Sequence, residues 1–332
     1  MPKARPLMTA ADVKGVWAII PTPAKEGSEH WDARDTVDLD ETARVVEELI
    51  RGGADAVLTM GTLGEVATLT WPEKQAYIRT IVDTARGRLP VFVGTSSLNT
   101  RDTVEQTRWA SDVGADGTML GPPMWCAPSV PTAVQFFRDV AEGCPDMAIC
   151  IYANPEAFKF DFPLGFWAQV SAIPQVITAK MPPTAQLLAY VGLTGGRIRF
   201  LPIDNEYYAS ARMDPDFFTA FWSSSASCGP EVSYALRDRV AAAVAGGDWA
   251  SAKRLSDAMG AAIAPIFPPG GFKEFSTYNI ALEKERMNVA GWVKAGPTRA
   301  PYSLVPEPYL EGARKSGAAW AKLNRDVIAG TI

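Results

Sequence analysis

The sequence predicts an α/β chain that folds as one (β/α)8 TIM barrel with a C-terminal helical extension. Short apolar runs of strand-forming residues alternate with longer amphipathic segments along most of the 332 residues. Eight such runs, spaced by roughly 20–30 residues, fit a closed parallel barrel better than an open sheet. Hydrophobic residues make up 47% of the chain, which is typical of a globular protein with a sizeable core.

The individual elements follow from the spacing of apolar residues. The predicted strands cover residues 16–20, 56–60, 91–94, 117–120, 148–152, 175–179, 198–202 and 218–222. Apolar residues recur every three or four positions, as in a helix with one buried face, in residues 38–54, 71–87, 100–115 and 130–143. Asp38, Thr70 and Thr100 are the expected N-caps of the first three helices.

The domain organisation is predicted from the last third of the chain. A Pro/Gly break, FPPGG, follows a long helical region, and a further helical segment continues almost to the C-terminus. We expect residues 1–265 to form the barrel with the functional site. Residues 266–332 are too apolar to be disordered, so we expect them to pack on the barrel as part of one structural unit.

The bulk properties exclude several classes of partner. A formal net charge of -5 argues against nucleic acid, because phosphate binding needs a basic face. No run of about 18 apolar residues occurs, so no membrane association is expected. The N-terminal segment MPKARPLMTA is basic but lacks the apolar core of a signal peptide, so a cytoplasmic location is expected.

Histidine and cysteine usage restricts the available chemistry. His30 is the only histidine, in a polar segment, so a Ser-His-Asp triad or a histidine-rich metal site is not expected. The four cysteines form no CxxC pair and match no zinc module. We therefore predict no metal ion, and we assign acid–base chemistry to Tyr, Lys or carboxylate side chains.

Candidate catalytic residues lie at strand ends, because active sites of such barrels lie at the C-terminal ends of the strands. The sixth predicted strand leads into Lys180, where loss of hydration would favour a neutral, nucleophilic amine. A lysine leaving the strand for solvent is an equally good interpretation. The fifth strand ends at Tyr152, either a proton shuttle or a core tyrosine.

A glycine-rich loop follows the second strand. Residues 61–65 read Gly-Thr-Leu-Gly-Glu and offer backbone N–H groups and a hydroxyl, which suit a carboxylate. Such turns are common, and Glu65 alternatively caps the backbone there.

The joint placement of these motifs at strands two, five and six is more specific than any one of them. In this respect the sequence resembles the dihydrodipicolinate synthase / N-acetylneuraminate lyase superfamily of class I aldolases, over nearly the whole chain. The resemblance implies that Gly61, Thr62 and the backbone N–H of Leu63 bind a pyruvoyl carboxylate. It also implies that Tyr152 is the acid/base and Lys180 the imine-forming residue, with no metal or organic cofactor.

Departures from the superfamily pattern indicate a branch. Leu63 replaces a threonine, and the fourth-strand loop GPPMWCAPS lacks a tyrosine, which argues against dihydrodipicolinate synthesis and sialic acid cleavage. Residues 151–163, 274–284 and 291–302 are similar to the hydratase-aldolases of polycyclic-aromatic degradation, which cleave benzylidenepyruvates. This resemblance implies that the substrate also contacts Asn154, Trp222 and Asn279, with Ser223 and Ser224 as neighbours.

The expected function is therefore hydration of a substituted benzylidenepyruvate, followed by retro-aldol cleavage to an aromatic aldehyde and pyruvate. A 2-carboxy ring is slightly preferred over a 2-hydroxy ring. Lys159 and Lys273 could pair with a ring carboxylate, although a solvated surface lysine is the more common case for each. The apolar residues Met60, Met124, Trp125 and Phe158 suit an aryl group, although such residues more often serve plain packing. Two alternatives stay open: a 2-keto-3-deoxy sugar-acid aldolase or dehydratase, and a non-catalytic pyruvate-binding barrel. The resemblance further implies a homo-oligomer, either a tetramer or a dimer.

Overall fold

The eight predicted strands are all present in the structure, a computed structural model that describes residues 6–332. The first half of the segment MPKARPLMTA thus lies outside the described residues. The strands are β1 (Gly15–Ile20), β2 (Ala56–Thr59), β3 (Val91–Gly94), β4 (Gly117–Leu120), β5 (Ala148–Tyr152), β6 (Val176–Lys180), β7 (Arg199–Leu201) and β8 (Ala220–Ser223).

The strands form one parallel sheet that closes on itself. Each strand from β1 to β6 pairs with the next along the chain, and β1 also pairs with β8. A parallel bridge between Ile203 and Trp222, just beyond β7, joins the two ends of the sheet. This confirms the predicted (β/α)8 barrel.

Helices connect successive strands of the barrel, and further helices follow the last strand. They are α1 (Leu39–Gly52), α2 (Trp71–Ala85), α3 (Thr100–Val113), α4 (Val130–Gly143), α5 (Pro155–Phe158), α6 (Leu164–Val170), α7 (Leu187–Thr194), α8 (Asp204–Met213), α9 (Glu231–Val244), α10 (Trp249–Ile263), α11 (Gly271–Ala290) and α12 (Glu307–Ile328).

The helix starts follow local capping chemistry. The Asp38 side chain accepts the Glu41 N–H at 2.9 Å, and Thr70 forms a capping box with Glu73. The expected cap at Thr100 is wrong by one residue, because the Asn99 side chain accepts the N–H of Asp102 and makes Thr100 the first helical residue. Such shifts are ordinary at helix boundaries.

The barrel interior is a packed apolar core. Nearly every strand residue is buried, as expected for a parallel sheet covered by helices on its outer face and by itself on its inner face. Trp17 and Phe92 fill the barrel centre with rings 4.8 Å apart. The core therefore holds the strand ends in a fixed arrangement around the mouth.

The C-terminal helices contact the loops and turns that follow the barrel strands. Trp320 of α12 is fully buried, and its indole N–H donates to the carbonyl of Gly229 at 3.1 Å. Arg299, between α11 and α12, donates to carbonyl oxygens of Thr22 and Pro23 after β1. The proposed division of the chain between residues 265 and 266 stays a prediction. Among the described residues, no helix is long and apolar enough to cross a membrane.

Candidate active site

Lys180 lies at the end of β6 between two aromatic rings. The β5–β6 register pairs it directly with Tyr152, so both side chains leave their strands at the same level. Lys180 Nζ lies 4.4 Å from the ring centroid of Tyr152 and 3.7 Å from that of Trp222. No salt bridge to Lys180 occurs within residues 6–332, so aromatic faces rather than a carboxylate surround the amine.

The Tyr152 hydroxyl is the centre of a hydrogen-bonded chain. It lies 2.9 Å from the Thr62 hydroxyl and accepts the Asn154 amide N–H at 3.0 Å. Burial acts to raise the pKa of Tyr152, but the Lys180 charge and the bonds with Thr62 and Asn154 outweigh it, so this pKa lies below its ordinary value. A proton can therefore leave or return to this hydroxyl more readily than for an isolated buried tyrosine.

Asn154 is itself fixed by the start of a short helix. It is the N-cap of α5, and its side-chain oxygen accepts the Ala157 N–H at 3.2 Å. Both ends of its amide group are thus committed, and the N–H₂ end is aimed at Tyr152. In the Tyr-Ala-Asn-Pro order of residues 152–155, the amide follows the strand end by two residues.

The 61–65 loop after β2 has a strained backbone. Met60, just before the loop, and Glu65, its last residue, have φ values of 55° and 56°, in the left-handed region that non-glycine residues rarely adopt. Gly64 is required within it, because an added Cβ would lie 2.5 Å from the backbone nitrogen of Met60. Such strain at a predicted carboxylate-binding loop indicates that the surrounding structure imposes the conformation.

A buried ion cluster at Glu65 holds the 61–65 loop in its strained conformation. The Glu65 carboxylate accepts hydrogen bonds from the Lys284 ammonium of α11 at 2.8 Å and from the Arg299 backbone N–H at 2.9 Å, and it also pairs with the Arg299 guanidinium. All three side chains are less than 5% exposed. Glu65 therefore anchors the loop to the C-terminal extension, and the backbone-capping alternative is not its main role.

Trp222 is held in one orientation at the end of β8. Its indole N–H donates to the Met181 carbonyl at 2.9 Å, and its ring faces Lys180. A fixed indole beside the amine offers a flat apolar surface to an aromatic substrate.

These groups surround a cavity of about 360 Å³ at the barrel mouth. Nine of the ten predicted site residues line it, namely Gly61, Thr62, Leu63, Tyr152, Asn154, Lys180, Trp222, Ser224 and Asn279. The volume and the concave shape fit a small aromatic ligand. Asn279 reaches the cavity because α11 crosses the mouth, as the resemblance required.

Ser223 is the predicted residue that does not line the cavity. It is fully buried, and its hydroxyl donates to the Asp204 carboxylate at 2.6 Å. Successive strand residues point to opposite sides, so Trp222 and Ser223 cannot both face the mouth. Ser225, which was not predicted, lines the cavity beside Ser224.

The apolar lining differs from the expected set. Met60, Met124, Trp125 and Phe158 do not line the cavity; Trp125 is 78% exposed, and Phe158 packs behind the Tyr152 ring. The apolar lining comes instead from strand ends and the C-terminal helices: Ile19, Met119, Ile203, Ile263, Ile266, Phe267, Phe272 and Phe275. Proximity to a strand end in the sequence thus did not identify the apolar residues that line the mouth.

Two charged residues in the lining were also missed. Glu283 and Arg286 of α11 face the cavity together with Asn279, at a spacing of four and seven residues that places all three on one side of the helix. This spacing is visible in the sequence once Asn279 is accepted. Lys159 and Lys273, by contrast, are exposed and outside the lining.

The described residues contain no group of three or more His, Cys, Asp or Glu side chains that could hold a metal ion. His30 lies in an exposed loop beside Asp32, outside the cavity. The polar groups gathered at the mouth are thus one amine, one phenol, the amides of Asn154, Asn205 and Asn279, hydroxyls and an ion pair.

Comparison with known proteins identifies the family. Residues 27–187 match the family model described as the dihydrodipicolinate synthetase family. A relative from Sphingobium xenophagum, named trans-O-hydroxybenzylidenepyruvate hydratase-aldolase, is 61% identical over 98% of this chain and 99% of its own length. A protein of the same name from Pseudomonas aeruginosa is 58% identical over 96% and 95%. The trans-2'-carboxybenzalpyruvate hydratase-aldolase of Nocardioides sp. (strain KP7) is 37% identical over 98% of each chain.

Solved structures give the same result. The structure described as PhdJ bound to substrate intermediate superposes with a TM-score of 0.94 at 40% identity, covering 97% of this chain and 99% of that one. A dihydrodipicolinate synthase from Agrobacterium tumefaciens, at 21% identity and a TM-score of 0.77, shares the fold. The chain therefore belongs to the dihydrodipicolinate synthetase family. Within it, the chain is similar over nearly its full length to proteins named as hydratase-aldolases.

Proposed function

We propose that the chain is a lyase that hydrates a substituted benzylidenepyruvate and cleaves the product to an aromatic aldehyde and pyruvate. The observation that carries the proposal is the Lys180 amine at the base of a largely apolar cavity, beside the Thr62–Tyr152–Asn154 chain. Relatives with 57–61% identity carry the name of this activity.

The first step is imine formation. The 61–65 loop binds the substrate carboxylate through the Thr62 hydroxyl and the Leu63 N–H, which directs the C2 ketone toward Lys180. The amine attacks C2, and the resulting carbinolamine loses water to give an iminium conjugated with the alkene. Tyr152 donates the proton that the departing hydroxyl needs, consistent with its lowered pKa.

The second step is hydration at C4. The iminium withdraws electrons from the alkene, so a water molecule adds to C4, and C3 receives a proton. The Asn154 and Asn279 amides border the same cavity and are suited to orient that water. Trp222 and the phenylalanines of α11 provide an apolar surface for the aryl group.

The third step is retro-aldol cleavage. The C4 hydroxyl loses its proton, the C3–C4 bond breaks, and its electron pair forms the enamine on Lys180. An aromatic aldehyde departs. Protonation of the enamine at C3 and hydrolysis of the imine then release pyruvate and the free amine. The amine is the only covalent handle in this sequence, so the proposal requires no metal or organic cofactor.

The ring substituent is the finer part of the proposal. The preference for a 2-carboxy ring depended on Lys159 and Lys273, and neither lines the cavity. Relatives of 57–61% identity are named for the hydroxy substrate, whereas the relative named for the carboxy substrate is 37% identical. We therefore propose the 2-hydroxy compound as the preferred substrate, in a cytoplasmic homo-oligomer.

The test is turnover of synthetic 2-oxo acids. Turnover is monitored by the loss of absorbance of the conjugated substrate and by enzymatic detection of the pyruvate released. We expect the purified protein to convert aryl substrates, and Lys180→Met to be inactive. A 2-keto-3-deoxy sugar acid is the comparison substrate, because polyols need more polar partners than this lining offers. Cleavage of the sugar acid in preference to the aryl compounds, or no turnover of any, would refute the proposal.

A further inference from the structure

One helix, α11, forms a wall of the cavity, and the chemistry of its side chains changes along its length. Phe272, Phe275, Asn279, Glu283 and Arg286 recur at intervals of three or four residues along α11 and all line the cavity. The wall thus changes from aromatic at the helix N-terminus, through an amide, to an ion pair at its far end. The proposed mechanism uses the aromatic and amide parts and leaves the ion pair without a role.

The ion pair is buried and well ordered by serine hydroxyls. Glu283 Oε2 lies 2.7 Å from Arg286 Nη2, and the two side chains are 9% and 2% exposed. Ser224 and Ser225 accept from the guanidinium at 3.2 and 3.3 Å, and the Ser224 hydroxyl lies 3.4 Å from the other Glu283 oxygen. Removing two charges from water costs free energy, so a pair at a cavity wall needs a further explanation.

Both partners have hydrogen-bonding capacity left over. Within residues 6–332, the Nε–H of Arg286 has no acceptor, and Glu283 Oε2 makes no hydrogen bond beyond its ion pair. Buried polar groups are paired in nearly all native structures, and an orphaned one indicates a ligand or a functional constraint. The dyad therefore holds one donor and one acceptor without a hydrogen-bond partner, both buried, on two residues that line the cavity.

We propose that the Glu283–Arg286 dyad is the specificity element for the aryl substituent: it binds an ortho hydroxyl and rejects an ortho carboxylate. A hydroxyl donates one hydrogen bond and accepts others, so it can donate to Glu283 and accept from Arg286 at the same time. A carboxylate only accepts, and it meets the Glu283 charge. Because the two charges of the dyad cancel, no net attraction offsets that repulsion.

This inference rests on the proposed function and names its substrate more closely. Hydrogen bonds involving charged groups give roughly tenfold to hundredfold discrimination when a substrate lacks the matching group. We therefore expect wild-type kcat/KM for the 2-hydroxy substrate to exceed that of the unsubstituted and 2-fluoro compounds by about that factor. The 2-carboxy compound is expected to be the poorest of the four. Fluorine tests donation specifically, since it cannot donate to Glu283.

Variants separate the dyad from the rest of the site. Glu283→Gln removes the repelling charge and frees the Arg286 charge, so the 2-hydroxy preference falls by about tenfold and 2-carboxy turnover rises. Glu283→Leu/Arg286→Met replaces both partners by apolar side chains, a change that buried pairs often tolerate. This double variant is expected to turn over the unsubstituted substrate with no 2-hydroxy preference.

The matched control is Glu285→Gln. Glu285 lies on the same helix and pairs with Arg314 at 2.5 Å, outside the cavity. Glu285→Gln should leave the ratios of kcat/KM between substrates unchanged. Each ratio is divided by the same ratio in wild type, which removes the intrinsic electronic effect of each substituent and any general loss of activity.

The outcomes distinguish the two proposals. If wild type turns over no aryl substrate, the proposed function fails. If it turns over the 2-hydroxy, 2-fluoro and unsubstituted compounds equally well, the function stands and the dyad is not a specificity element. That wild-type comparison needs no variant to fold. Unchanged ratios in both Glu283→Gln and the double variant would likewise overturn the inference.

Discussion

Replacing Glu65 by glutamine tests how the C-terminal extension holds the carboxylate-binding loop. The change keeps the side-chain shape but leaves the Lys284 ammonium and the Arg299 guanidinium, both at most 4% exposed, without their shared anion. Breaking a buried pair on one side costs about 3–5 kcal/mol. For 332 residues the unfolding entropy is about 0.7 kcal/mol/K, so Tm should fall by about 4–7 °C.

The assay is thermal unfolding by circular dichroism, with Glu47→Gln as the matched control. Glu47 pairs with Arg88 at 2.5 Å, but both side chains are 40% or more exposed, so this pair contributes little to stability and the change in Tm should be clearly smaller than for Glu65→Gln. The KM of Glu65→Gln for the 2-oxo acid should also rise, since the 61–65 loop loses its anchor. Equal Tm changes in the two variants would refute the reasoning.

The pH dependence supplies a second readout for the same variant. Burial lowers the pKa of Lys284 to about 8, against the attraction of Glu65, which acts to raise it. Without Glu65 this pKa falls further. The Lys284 part of the stability difference between wild type and Glu65→Gln should therefore be fully present only below the lower Lys284 pKa of the variant. It should shrink as pH rises from there to about 8, above which Lys284 is neutral in both folded proteins. The Arg299 share of the difference persists.

Three further results are expected. Lys180→Met removes the charge that lowers the pKa of Tyr152, so phenolate absorbance should appear at higher pH than in wild type. The absorbance of Tyr152 is assigned by difference against Tyr152→Phe. An unchanged titration would contradict the electrostatic coupling between Lys180 and Tyr152. Tyr152→Phe should lower kcat by about 10²–10⁴ while the protein stays folded, and near-normal turnover would remove this residue from the proton transfers. Asn279→Ala should slow the unsaturated substrate about tenfold but spare its hydrated 4-hydroxy form, because only the first needs an oriented water; an equal loss on both would argue against that role.

The barrel was predictable because its signals are local. The period of apolar residues, the N-cap Asp38 and the strand ends at Tyr152 and Lys180 all depend on neighbours in sequence. The order of the motifs placed Tyr152 and Lys180 on neighbouring strands, and the parallel register of the structure pairs them directly. The N-cap of α3 is Asn99 and not the predicted Thr100, because two adjacent polar residues are both suited to that position.

The cavity wall was not predictable in the same way. Ser223 was grouped with Ser224, although alternation along β8 turns its hydroxyl to Asp204. The aromatic lining was expected from loops near β4 and β5, whereas α11 supplies Phe272 and Phe275 from far along the chain. Such contacts depend on how the extension crosses the mouth, and no local pattern encodes that crossing. Glu65 was ambiguous for the same reason, since its partners are more than 200 residues away.

The central claim is that Lys180 forms an imine with the 2-oxo acid. Borohydride reduction in the presence of pyruvate, followed by intact mass and peptide mapping, tests it directly. Lys284 is the internal comparison, because burial lowers its pKa but its side chain is 1% exposed and outside the cavity. We predict a single stable adduct on Lys180 that is absent in Lys180→Met. An unmodified wild-type protein, or an adduct on Lys284 or another lysine, would contradict the account.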